Sequence, residues 1–398
     1  MKLKNNIPLM YVIGSLIWGR FFIPVLALFY IASQVTLEQF ALIMGVFSLS
    51  ILILEIPTGA LGDLLGKKKT LLLSRFMYII EIFLIAFFNG FWIFFIAKII
   101  SGIGVSLSSG TSSAMLFDTL KRQKREDKYK EISGNMGVIT NISMAFVFII
   151  GAFLFSISPK LPAIVSLPFI ILGFILTFFL KEPYKPRKKL TLKSHWNHMN
   201  ESLNFFKKSD VVKYIAIMSF FTSAAISIPL SMSSAYFKDI LIPVSFIGIL
   251  AFSSSMITAF TSKKADKWES LLKEKKSIFF IQLFVVLGLV LMSLMVSYFG
   301  VLFYLMIPLI AGFEGVVIGN YINNHLGTSH RATILSITNM FGNIGIFLFF
   351  PLVGYLTKIK GIGFSFFLLG IITLIGFVLL YSYSKNKNIQ FNNKEKIN

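Results

Sequence analysis

The sequence predicts an all-α membrane protein of twelve transmembrane helices in two pseudo-symmetric six-helix bundles. Three observations carry that prediction. Of 398 residues, 56% are hydrophobic and only 14% charged, where a soluble chain has about 45–50% and about 25%. Twelve apolar runs reach the roughly 20 residues a helix needs to cross a bilayer. The 38 Lys and Arg, set against 17 Asp and Glu for a formal charge of +21, gather on alternate connections between those runs, the pattern that fixes membrane topology. Long runs without alternation exclude outer-membrane strands. The hydrophobicity excludes disorder. The lack of Cys excludes a disulfide scaffold and any thiolate metal site. No soluble segment is large enough to carry the basic residues as a nucleic-acid surface.

Span 1 covers 9–33; its length, its interior Arg20 and Pro24, and the want of a small-residue cleavage site set it apart from a cleaved signal peptide. Spans 2, 3 and 4 cover 39–60, 70–89 and 91–119 and carry Glu55, Glu81 and Lys98 in turn. Glu81 lies eight residues before Asn89 and Lys98 eight after Gly90. Antiparallel neighbours would hold the two at equal depth, where an ion pair is the usual way to tolerate burial. Spans 5 and 6 cover 132–157 and 161–180. The segment 181–212 then divides the chain. It opens with two prolines and a basic cluster, and from His195 the spacing of Trp196, Met199, Leu203 and Phe206 fits an amphipathic helix on the inner leaflet; a solvated linker is the alternative reading. His195 and His198 lack a carboxylate or Cys to complete a metal site. Spans 7 to 12 cover 213–236, 244–262, 277–298, 301–323, 331–356 and 361–383, with Glu314 near the middle of span 10.

The expected domains are therefore 1–180, a linker at 181–212, a second bundle at 213–384 and a tail at 385–398. With the N-terminus inside, 32 of the 38 basic residues face the cytoplasm and Lys160, Lys238, Lys358 and Lys360 face out. That leaves Arg20 and Lys98 as the basic residues inside the membrane and puts both termini in the cytoplasm.

The halves echo each other weakly. Pro24 of span 1 has a counterpart in Pro229 of span 7, and Ile139-Thr140-Asn141 recurs as Ile337-Thr338-Asn339 on spans 5 and 11. The loop GDLLGKKK after span 2 is echoed by ADKWESLLKEKK after span 8. Between Glu55 and Lys69 the chain reads EIPTGALGDLLGKKK. Gly59 and Gly62 would admit a neighbouring helix, Asp63 sets a carboxylate at the membrane boundary, and Gly66 permits a sharp reversal before three lysines.

This stretch resembles the loop 2–3 signature of the major facilitator superfamily, and the twelve spans, six-plus-six halves and long central loop extend the resemblance to the whole chain. A second signature of that family, a basic residue followed by glycines four and six residues later, is matched on span 4 by Lys98, Gly102 and Gly104, with lysine in place of the usual arginine. The antiporter signature of span 5, a glycine–proline pair, is not recognisable. The opening Glu-x-Pro-Thr-Gly looks most like the bacterial drug-efflux branch that includes macrolide exporters.

The resemblance implies that Asp63, Lys67, Asp118 and Arg331 form a latch at the inner gate, with Gly59, Gly66 and Glu55 beside it; the bland alternative is that the lysines only fix topology. It also implies that spans 1, 4, 7 and 10 line a central cavity, which Arg20, Lys98 and Glu314 would face. Intramembrane ionisable residues default to functional hypotheses. Glu314, with no basic residue at matching depth in its own half, is the leading proton-coupling candidate; the alternative pairs it with Arg20. Trp18, Phe22, Asn141, Asn339 and Tyr236 would supply the mixed walls that suit amphipathic ligands. The function implied is export of small amphipathic, drug-like or antibiotic-like compounds by proton antiport across a bacterial cytoplasmic membrane. An importer of a nutrient or peptide-like metabolite is the alternative on the same fold, and a scramblase or membrane enzyme the alternative of another class. The four His, at 195, 198, 325 and 330, form no catalytic constellation, and no nucleotide loop is present. The partners expected are a small-molecule substrate, protons and the lipid bilayer, with the chain a monomer without cofactor.

Overall fold

The computed structural model describes residues 3–184, 206–207, 209–295, 297–325, 331–387 and 389. Among the described residues every regular element is helical. Nine helices are long and apolar enough to cross a membrane, and three shorter apolar helices accompany them. These account for twelve spans, because one long helix holds two and the first span is split between two short ones. The amphipathic helix expected from His195 falls outside the described residues.

The first span is not continuous. Helix α1 (Asn6–Ile17) ends at Trp18, a short 3-10 turn follows at Ile23–Val25, and α2 (Leu26–Ala32) resumes the path. Pro24 stands in the first turn of that 3-10 segment, where its missing N–H leaves no helical bond unmade. The freed backbone finds protein partners: the Phe21 N–H donates to Ser166 Oγ at 2.9 Å. A Cβ at Gly151 would collide with the Phe21 carbonyl, so glycine there lets the broken segment seat against the fifth span. Irregular backbone at membrane depth is tolerated only where protein covers it in this way. Pro229, by contrast, lies inside an unbroken helix, so the proline echo is not a structural one.

Helix α3 (Leu37–Leu65) is the second span and α4 (Lys67–Phe87) the third. The fourth, expected as one run, is two helices, α5 (Phe91–Ser108) and α6 (Thr111–Arg122), parted at Ser109 and Gly110. The fifth and sixth are α7 (Tyr129–Ile157) and α8 (Leu161–Thr177). The later spans are α9 (Asp210–Asp239), α10 (Val244–Leu294), α11 (Gly300–Tyr304) with α12 (Met306–His325), α13 (Arg331–Lys360) and α14 (Ile362–Asn386). Helix α10 is spans 8 and 9 joined at Lys273, so span 8 runs on beyond 262 and span 9 stops at Leu294 rather than 298.

The chain divides into two compact units. One comprises Met1–Thr36, Val46–Asn197 and Val244–Ser253; the other Leu37–Gly45, His198–Pro243 and Ser254–Asn398. In the first, Met10, Ile13, Leu71, Met115, Leu116, Leu120, Ile132 and Leu180 form a core drawn from α1, α4, α6, α7 and the end of the sixth span. In the second, Phe220 and Phe221 of α9 pack on Phe349 of α13 with ring centroids 5.4 and 6.1 Å apart, and Phe40 of α3 meets Phe350 edge-on at 5.9 Å.

Candidate functional site

The first unit holds a buried cluster of charge. Glu81 of α4 is fully buried and accepts a hydrogen bond from Lys98 Nζ of α5 at 2.9 Å. Its second oxygen is 3.3 Å from Arg20, which projects from the break in the first span. The depth argument for a Glu81–Lys98 pair thus corresponds to a real contact, and Arg20 joins it instead of standing alone. Leaving any one of three such charges without its partner in a low-dielectric interior costs several kcal/mol, roughly 3–5.

A fourth ionisable residue belongs to the cluster. Arg75 of α4 is 6% exposed, although the sequence places it among the 32 basic residues on the cytoplasmic side. It donates to Ser74 Oγ at 3.2 Å and to Ser108 Oγ, the last residue of α5, at 3.0 Å. Its Nε–H has no partner among the described residues. Arg20 and Arg75 share one aromatic platform: their guanidinium carbons lie 4.3 and 5.8 Å from the Tyr78 ring centroid, a distance at which the ring quadrupole attracts cations. Lys98 sits 5.1 Å from the Phe47 ring. The two helix breaks of this unit therefore each deliver a residue to the cluster, Arg20 at one and Ser108 at the other.

In the second unit Glu314 of α12 is partly buried and accepts a hydrogen bond from Thr222 of α9. Among the described residues no basic group pairs with it. Arg20, named as its alternative partner, pairs with Glu81 within the first unit.

The loop after the second span is built around two carboxylates. Gly66 precedes α4 with φ of 87° and ψ of 152°, a conformation open to glycine. Lys67 pairs with Asp118 of α6. The first two N–H groups of α4, those of Lys67 and Lys68, donate to the two oxygens of Glu182 at 3.0 and 2.8 Å. Sequence reasoning missed Glu182, which stands just past the sixth span. A carboxylate on a helix N-terminus is favourable by about 0.3–1 kcal/mol. The side-chain surroundings of Gly59, Asp63 and Arg331 lie outside the described residues, so of the expected latch the Lys67–Asp118 contact alone is visible. Glu55 is partly buried, and one of its oxygens has no partner among the described residues.

The expected cavity walls divide. Phe22 and Tyr236 are each 1% exposed. Phe22 packs on Phe29 at 5.5 Å, and the Tyr236 hydroxyl donates to the Met292 carbonyl at 2.8 Å. Both are engaged in helix packing. Trp18 and Asn339 are exposed and Asn141 partly so.

Residues 9–349 match the family model described as Major Facilitator Superfamily. The chain is 24% identical over 157 residues to the tetracycline resistance protein, class B, of Escherichia coli. That match covers 39% of this chain and 38% of the relative, well under half of the relative's length. An uncharacterized MFS-type transporter of Bacillus subtilis (strain 168) is 23% identical over 391 residues, 92% of each chain. Among solved structures, a nucleoside transporter superposes with a TM-score of 0.78 at 13% identity, covering 96% of this chain and 100% of the other.

Proposed function

The chain belongs to the Major Facilitator Superfamily of transporters, and on that premise we propose that it is a secondary active exporter of small amphipathic compounds, coupled to the proton gradient through Glu314. The observation that carries the reading is the setting of that carboxylate. It sits inside span 10, partly buried, with a threonine hydroxyl as neighbour and no paired cation among the described residues. A carboxylate so placed can take and give a proton without first breaking an ion pair. A carboxylate held by two cations, as Glu81 is, cannot do so without leaving both unpaired. Each half-cycle would then need Glu314 neutral in one state and ionised in the other, and the differential stability of the two states drives the exchange. Support for outward direction comes from the partial likeness to a tetracycline resistance protein and from the Glu-x-Pro-Thr-Gly opening of the loop motif at Glu55.

We further propose that the Lys67–Asp118 contact, with Glu182 on the start of α4, belongs to the gate on the cytoplasmic face. The test is a toxicity panel in bacteria lacking their own exporters. Expression should confer resistance to some amphipathic compound, and a protonophore should remove it. Sensitisation by expression would reverse the direction and overturn the export reading.

A further inference from the structure

We propose that the transported compound carries an organic anion, and that Arg20 and Arg75 receive it beside the Tyr78 ring they share. The argument is one of charge. Arg20, Arg75 and Lys98 are three buried or nearly buried cations, and among the described residues Glu81 is the one carboxylate that pairs with any of them. Glu81 offsets a single charge. Arg75 lies where α5 ends, and the negative end of that helix supplies at most about half a charge. A surplus of more than one positive charge remains in an interior where unpaired charge is expensive.

Geometry points to where the compensating group goes. Lys98 is committed to Glu81 at 2.9 Å. Arg20 makes only the longer contact of 3.3 Å and stacks on Tyr78 at 4.3 Å. Arg75 is held by two serine hydroxyls, which are neutral, and keeps its Nε–H unpaired in a setting 94% removed from solvent by its 6% exposure. A guanidinium presents donors in a fixed fork that matches a carboxylate or phosphate. Two such forks over one aromatic ring form a recognition surface for an anion attached to an apolar body. Both helix breaks of the unit meet at this place, and discontinuous helices are how transporter folds build substrate sites. The inference rests on the transporter reading for the word "transported"; anion binding at the cluster stands or falls by itself.

The experiment uses the full chain in phosphatidylcholine nanodiscs and three probes of one shape: 2-naphthoate, 2-naphthamide and 2-naphthylmethylammonium. Apparent affinity is read from ligand-dependent thermal stabilisation. Naphthoate should bind about tenfold tighter than the amide, as expected when a charge-assisted contact is gained, and the ammonium weakest. Arg75→Gln and Arg20→Gln should each erase the preference for naphthoate over the amide, and Arg75→Lys should restore part of it, which separates lost charge from lost fold. Equal response to the three probes, or a preference that survives both glutamine variants, overturns the inference. A preference abolished by adding phosphatidylglycerol to the discs assigns the cluster to lipid headgroups and also overturns it. The export reading is tested apart: inward movement of naphthoate would sink export and leave the anion site standing, whereas drive-dependent efflux confined to cationic compounds would uphold export and overturn the claim that the transported compound is anionic.

Discussion

Glu81 carries two cations at once, and that fact governs what its replacement should do. Glu81→Gln keeps the shape but leaves Lys98 and Arg20 without their carboxylate. The expected loss is about 3–5 kcal/mol, read as a fall in melting temperature of the purified chain. Glu81→Gln with Lys98→Met should recover part of it, because one unpaired ammonium is removed; a single variant as stable as the parent would show the pairs to be inert. Lys160, in the connection before α8, gives a second residue-scale test. Its ammonium donates to the Ile85 and Phe88 carbonyls at 2.8 and 2.7 Å and lies near the Phe29 and Phe94 rings. Burial pushes its pKa down to about 8, from about 10.4 in an unfolded chain. The unfolded chain therefore binds more protons between those values, and stability should rise as pH climbs from about 8 to about 10.4. Lys160→Met should flatten that rise in melts recorded across the window.

The charged residues were mostly legible in the sequence, because hydropathy makes an intramembrane charge conspicuous. Arg75 was not, since it follows the three lysines of the loop closely and was counted with them. The available signal was that the predicted span already begins at residue 70. The burial of Phe22 and Tyr236 was not legible for a different reason: an aromatic in a span looks the same whether it faces a ligand or a neighbouring helix.

At the scale of elements, number and order followed from hydrophobic runs, while breaks did not. Hydropathy counts side chains and is blind to backbone hydrogen bonding. Gly19 with Pro24, and Gly110, were the marks of the two discontinuities, and neither alone distinguishes a break from a tolerated residue. The loop echo proved more than verbal. Gly66 and Lys273 both open a third helix of their half with nearly the same backbone, at φ 87°, ψ 152° and φ 65°, ψ 159°. The first half uses glycine for this turn and the second forces an exposed lysine into a region that costs about 1–3 kcal/mol for a side chain. Lys273→Gly should therefore raise stability by up to that amount, and Gly66→Ala should lower it similarly. Equal melting temperatures for parent and both variants would contradict the account of these turns.

For the whole molecule, the surplus of basic residues first read as topology leaves two separate sites once the intramembrane charges are placed. One unit holds a cation-rich cluster braced by a single carboxylate, and the other holds a carboxylate with only a hydroxyl beside it. On the two proposals made above, recognition belongs to the first and proton coupling to the second. Its most direct test is Glu314→Gln in proteoliposomes, assayed for an efflux substrate of the parent chain in two ways. Under an imposed proton gradient the variant should fail to accumulate substrate. In exchange of labelled for unlabelled substrate without a gradient it should run at a rate close to the parent's. Gradient-driven accumulation retained in Glu314→Gln would contradict the account.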